Sequence, residues 1–171
     1  MAWTPIFSTV DFGVPIIGNL QRIIERDQVE ALRWANGGTE MTAFARILLS
    51  ERVAQKFPSL AIFPRGDAAT VGDDEQSVTQ ELELLFEIAV SGGKPNDLTI
   101  ELMRRVTALR MIVLTATEAD VMQGVGVPNS GLIVELGQTF YEQLREHETQ
   151  NGLYYRSAYC LMTFKFHQGG Y

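Results

Sequence analysis

The stretch VTQELELLFEIAV, Val78 to Val90, decides the fold. Val78, Leu82, Leu84, Phe86, Ile88 and Val90 share one parity, interrupted only by Gln80, while Glu81, Glu83 and Glu87 fall on the other. Successive side chains of a strand point to opposite faces, so this alternation predicts a long strand with one core-facing side and one acidic side. Leu85 and Ala89 interrupt the acidic side, which leads us to expect that another subunit covers part of it.

Downstream, Ser91-Gly92-Gly93-Lys94-Pro95 reads as a turn, with Asn96 or Asp97 as the N-cap of a helix. Leu98, Leu102, Val106, Leu109 and Val113 form the packing stripe of that helix, flanked by Ile100, Met103 and Ile112. Arg104, Arg105 and Arg110 are read as lying off the stripe. A short capped helix is expected within Thr117 to Gln123, broken by Gly124, Gly126 and Pro128. Alternation resumes at Leu132, Val134 and Leu136, with Phe140 and Leu144 further on. A last strand spans about Leu153 to Phe166, with Ala158, Cys160, Met162, Phe164 and Phe166 on one face. Asn151-Gly152, at the end of a polar loop from His147, reads as its hairpin connection.

Upstream, Leu60-Ala61-Ile62-Phe63 predicts a short buried strand closed by Pro64-Arg65-Gly66-Asp67, with an exposed loop from Asp67 to Ser77. Thr39 to Lys56 carries Phe44, Ile47, Leu48 and Val53 at helical spacing and is expected to be a helix that Pro58 ends. Ile16, Ile17, Leu20, Ile23 and Ile24 predict an amphipathic helix, with a break near Asp27 where Asp27 and Glu30 resemble a capping box. Asn36-Gly37-Gly38 ends that segment. Residues 1–15, with Trp3, Phe7, Phe12, Pro5 and Pro15, are read as an extended arm whose aromatics suit packing on the body or docking on a neighbour. Residues 16–171 are read as one α+β domain, an antiparallel or mixed β-sheet flanked by helices.

The 171 residues are 46% hydrophobic and 20% charged, which is enough apolar material for a single core and argues against disorder. No apolar run reaches the ~20 residues that span a bilayer, and the first residues do not have the form of a secretion signal. No membrane contact is expected. The formal net charge of −7 removes the electrostatic footprint of a protein that grips nucleic acid, yet an acidic lumen would let DNA slide past without holding it.

Nothing in the local spacing supports catalysis or a bound cofactor. His147 and His167 are read as exposed, and neither stands at ligand spacing from a carboxylate or thiol. Cys160 is a lone thiol, read as a small core residue. Gly92-Gly93-Lys94-Pro95 lacks the first glycine and the Ser or Thr of a phosphate loop, and Gly124-Val125-Gly126 lacks the third glycine of a dinucleotide fingerprint. Asp73-Asp74-Glu75 lacks the alternating ligands of a calcium loop. We expect no catalytic residue, no cofactor and no metal ion.

Three stretches carry a resemblance to a known family. They are Phe57-Pro58-Ser59-Leu60-Ala61-Ile62-Phe63, the strand-turn-helix unit from Gln80 through Val113, and Asn151-Gly152-Leu153-Tyr154-Tyr155 leading into Leu161-Met162-Thr163-Phe164-Lys165-Phe166. In element order and strand texture the chain resembles the tail terminator (tail completion) proteins of long-tailed bacteriophages. The resemblance implies a sheet flanked by helices and a homo-oligomer, a ring of six copies, at the head-proximal end of the tail. It also implies that the ring ends polymerisation of the tail tube and offers a docking surface to the head connector or stopper. Localisation would then be the virion tail or neck, after synthesis in the host cytoplasm. The longer N-terminal region departs from shorter members and leaves open whether it meets the tube protein, a sheath protein or the head.

A ring needs two complementary flanks on each subunit. Glu81, Glu83 and Glu87 against Arg104, Arg105 and Arg110 offer opposite signs, and Trp3, Phe7 and Phe12 offer apolar anchors. These nine residues are the interface candidates. The alternatives are another head-tail connector or neck subunit, such as a stopper, and a small enzyme whose site is assembled from scattered residues.

Overall fold

The computed structural model describes residues 13–49, 56–72, 77–125, 131–147 and 151–169. It is an α+β domain in which a mixed sheet of six strands carries two long helices on one face. The elements run α1 (Gly13–Ala35), β1 (Arg46–Leu48), β2 (Ser59–Val71), β3 (Ser77–Gly92), α2 (Pro95–Thr115), α3 (Glu118–Val121), β4 (Ile133–Tyr141), β5 (Arg145–Glu146) and β6 (Tyr154–Gly169). The sheet order is β1-β2-β3-β6-β4, with β5 also paired to β6, and every pairing except β1 with β2 is antiparallel.

The expected alternation at 78–90 sets the two faces. Leu82, Leu84, Phe86 and Ile88 stand opposite Phe164, Met162, Cys160 and Ala158, and all eight are buried beneath the helices. Ile16, Leu20, Ile23 and Ile24 of α1 and Leu98, Leu102, Val106 and Leu109 of α2 close the core from above. Each such side chain removed from water contributes about 1.5–3 kcal/mol. Cys160 is the small core residue its pattern indicated.

Several local expectations are corrected. Helix α1 begins at Gly13, inside the expected arm, and runs through Asp27 without a break. Asp27 is held by Arg26 at 2.7 Å and so does not cap a new helix. The segment from Glu40 to Leu49 is extended and contains β1 where a helix was expected. Tertiary hydrogen bonds hold it: Phe44 N donates to Gln28 Oε1 at 2.8 Å, Gln21 Nε2 to the Ile47 carbonyl at 3.2 Å, and Ala45 N to the Pro58 carbonyl at 2.7 Å. Strand β2 does not stop at Pro64-Arg65-Gly66-Asp67. A bulge between Pro64 and Gly66 absorbs the turn-like residues, and the strand continues through part of the expected loop to Val71. The N-cap of α2 is Lys94, because Pro95 already has the φ and the missing N–H that suit the first helical position.

Strand β4 also departs from simple alternation. A bulge between Leu136 and Thr139 turns Thr139 and Tyr141 to the helix side, opposite Cys160 and Ala158, and puts Phe140 opposite Tyr159 on the open side. The short helix α3 is capped as expected, with Thr117 accepting from Asp120 N. The hairpin into the last strand is present as β5 and β6, and Gly152 takes a φ of 78° there.

Gly137 permits the close approach of β4 to β6. A Cβ built at that position would lie 2.9 Å from the Leu161 carbonyl oxygen. Gly137→Ala should cost about 1–3 kcal/mol, the range of overpacking, in urea denaturation. Gly93→Ala, whose Cβ would meet the Gly152 carbonyl oxygen at an ordinary 3.6 Å, should stay within about 0.5 kcal/mol of wild type.

Candidate assembly surfaces

Because β3 and β6 are long and in register, the residues of opposite parity form a second, helix-free face. Its upper rows run Glu81, Lys165, Ile133 and Glu83, Thr163, Glu135 across β3, β6 and β4. Lys165 Nζ lies 3.4 Å from Glu81 and 3.0 Å from Glu135, and these contacts, Glu135 first, hold its ammonium above the usual lysine range. Three carboxylates against one lysine leave this end of the face acidic.

Lower rows of the same face are apolar and then polar. Phe63, Leu85 and Leu161 stand side by side and half-buried. The next row holds Glu87, which is buried and accepts at long range from the hydroxyls of Tyr159 (3.4 Å) and Ser157 (3.5 Å). Ser59, Ala89 and Ser157 follow, each fully buried within the single chain. That burial corrects the expectation that a second subunit is needed to cover Ala89.

The sheet is not equally finished at its two ends. Beyond Ala61, β2 has no further strand beside it among the described residues, but Pro64, the bulge, Arg65 and Asp67 interrupt that edge. Such features are known to blunt edge-to-edge pairing. Strand β4 is the other edge among the described residues, nine residues long, and it carries Ile133 (59% exposed), Leu136, Phe140 (51%) and Tyr141 in contact with solvent. Exposed apolar groups on both faces of this edge make β4 a candidate pairing surface.

The structure does not bring the acidic and basic candidates together. Glu81, Glu83 and Glu87 lie on the open sheet face, whereas all three arginines belong to the helix layer. Arg104 is exposed and donates to Asn36 Oδ1 at the end of α1. Arg110 Nη2 reaches Thr139 Oγ1 at 2.7 Å and ties α2 to β4. Arg105 is corrected from its reading as an off-stripe residue: it is 1% exposed, the largest fully buried side chain of the described residues. Its Nε and Nη2 meet Glu101 Oε1 at 2.9 and 2.7 Å, and its guanidinium lies 5.3 Å from the centre of the Phe44 ring. Burial pushes its pKa below the usual guanidinium value, and Glu101 opposes that shift. Trp3, Phe7 and Phe12 lie outside the described residues.

The apolar candidates on β4 were missed as interface residues because the sequence pattern assigned Leu136 and Phe140 to one face. His167 is exposed and within β6, its Nδ1 3.1 Å from Thr79 Oγ1. His147 is half-buried rather than exposed, and its N–H donates to the Leu153 carbonyl at 2.7 Å. Among the described residues no group of three or more His, Cys, Asp or Glu is placed to hold a metal ion, and no helix is long and apolar enough to cross a membrane.

No family model matches the chain, and no curated protein matches it. A solved structure of the virion of a native gene transfer agent particle aligns with 93% of this chain and 99% of its own. The identity is 8% and the TM-score 0.49. A likeness at that level assigns neither family nor function.

Two measurements follow from the buried groups. Glu101→Gln should destabilise the fold by about 3 kcal/mol, the lower end of the cost of breaking a buried pair, because Glu101 keeps 33% of its side chain in water. Burial raises the pKa of the Cys160 thiol, so the native protein should resist a thiol reagent at pH 8 and react fully in denaturant.

Proposed function

We propose that this chain is a structural virion protein that acts by assembly, forming a head-to-tail ring that ends a phage tail tube and docks the head connector. The observation that carries the reading is the open β4 edge, with large apolar side chains exposed on both faces at the end of an otherwise well-buried sheet. An edge of this kind is stabilised by pairing with another polypeptide. The opposite edge is blunted, so the two flanks of the subunit differ. Unlike flanks suit a heterologous contact, which closes into a ring when the rotation per subunit divides a full turn.

The resemblance in element order to tail terminator proteins supplies the finer part of the proposal: six copies, a tube partner below and a connector or stopper above. The acidic open face suits a surface past which DNA moves, since Glu81, Glu83 and Glu135 outnumber Lys165 and would repel phosphate. Arg104, exposed on the helix layer, is the basic flank residue of choice in place of the buried Arg105. The role as we read it involves no bond-making and no cofactor.

Native mass spectrometry of the purified protein should give a closed oligomer, and imaging of a particle should find it at the head-proximal end of a tail. Phe140→Glu with Ile133→Lys should return the oligomer to monomers while leaving the circular dichroism spectrum unchanged. Glu83→Arg and Arg104→Glu should each weaken assembly, most at low salt. A strictly monomeric protein at high concentration, or a dimer that goes no further, would reject the ring.

A further inference from the structure

The non-helical segment Glu40–Thr42 leaves a cavity of about 420 Å³ between itself, the end of α1 and the first turns of α2. Its size falls within the range of small-ligand sites. Arg105 lines it. This side chain is 1% exposed, two of its nitrogens are used by Glu101, and its third, Nη1, is buried with no hydrogen-bond partner among the described residues. An unmet donor on a buried cation is costly, and native structures rarely keep one unless a ligand or water completes it.

The rest of the lining decides which ligand fits. Glu40 and Asp97 are exposed carboxylates at the cavity, and neither is in an ion pair among the described residues. Arg104 also lines the cavity and is engaged by Asn36. Ile100, 49% exposed, and Met41 add apolar surface. A bare anion would satisfy Arg105 but would meet the repulsion of Glu40 and Asp97. A cation alone would satisfy the carboxylates and leave the buried Nη1 unmet. Lysine or arginine within a peptide meets both demands, because its head carries positive charge and its backbone carries a carbonyl acceptor.

We propose that this cavity is a docking site for a basic segment of a partner protein, with Glu40 and Asp97 taking the cationic side chain and Arg105 Nη1, which has no surface open to water in the free chain, shifting toward the cavity to take a backbone carbonyl. The chain's own net charge of −7 disfavours a second copy as the occupant and favours a partner of opposite sign. The site is contained in one subunit and stands whether or not the protein forms a ring. Loss of oligomerisation and loss of peptide binding are therefore separate results.

The test is an NMR titration of the ¹⁵N-labelled full chain with acetyl-arginine-N-methylamide, which holds one cation and two amide carbonyls. Saturable shifts are expected at the amides of Glu40, Met41, Asp97 and Ile100 and at the Arg105 Nε–H, with a dissociation constant in the millimolar range. Binding should weaken about tenfold with the neutral acetyl-norleucine-N-methylamide and by a similar factor in the Glu40→Gln, Asp97→Asn double variant. Both substituted residues are exposed, so unchanged signals elsewhere report an intact fold. Four outcomes overturn the proposal: inorganic phosphate binding more tightly at the same signals, equal binding of the norleucine probe, probe-free concentration-dependent shifts confined to these cavity signals, or no saturable shift at all.

Discussion

The antiparallel pairing of β3 with β6 is the constraint on which the rest of the molecule depends. Sixteen consecutive pairs, from Ser77 with Gly169 to Gly92 with Tyr154, run without an interruption in register. Because side chains alternate strictly, this one alignment assigns Leu82, Leu84, Phe86 and Ile88 to the helices and Glu81, Glu83 and Leu85 to the open face. A slip of one residue would exchange the two sets and place carboxylates under α1 and α2. Several kcal/mol of apolar burial per turn of helix therefore depend on the alignment, and so does the acidic surface.

Much of this was legible in the sequence because both strands alternate cleanly and bury one side only. The errors came where tertiary contacts outweigh local pattern. Phe44, Ile47 and Leu48 have helical spacing, but Phe44 N is bonded to the Gln28 side chain and Ala45 N to the Pro58 carbonyl, partners far away in the chain. No local rule could supply those two bonds. Pro64-Arg65-Gly66-Asp67 has the composition of a turn, yet β3 already offers a full ladder, and a bulge costs less than abandoning the remaining pairs.

Arg105 is a different kind of miss, since the signal was present. It lies three residues after Leu102 and four before Leu109, inside the buried stripe, and Glu101 precedes it at the i,i+4 spacing that lets two side chains meet on a helix. Reading charge as a mark of the surface hid it. The β4 interface candidates were lost for a converse reason: Leu136 and Phe140 share parity, and the bulge between them reverses the face of every later residue. Periodicity places residues only between such defects.

The unequal edges connect these local features to the proposed assembly. Both bulges sit on strands with an open side, yet their consequences differ. In β2 the bulge holds Arg65 between Pro64 and Gly66 and is followed by Asp67, and a bulged strand bends where its backbone would otherwise be available. In β4 the bulge is built around Gly137, whose missing side chain keeps the strand against the Leu161 carbonyl, and it turns Phe140 outward beside Tyr159. The first device removes an adhesive edge and the second supplies one with an aromatic anchor. A monomer would gain from blunting both. Blunting one and arming the other fits a subunit that presents a single pairing edge and receives its neighbour through a different surface.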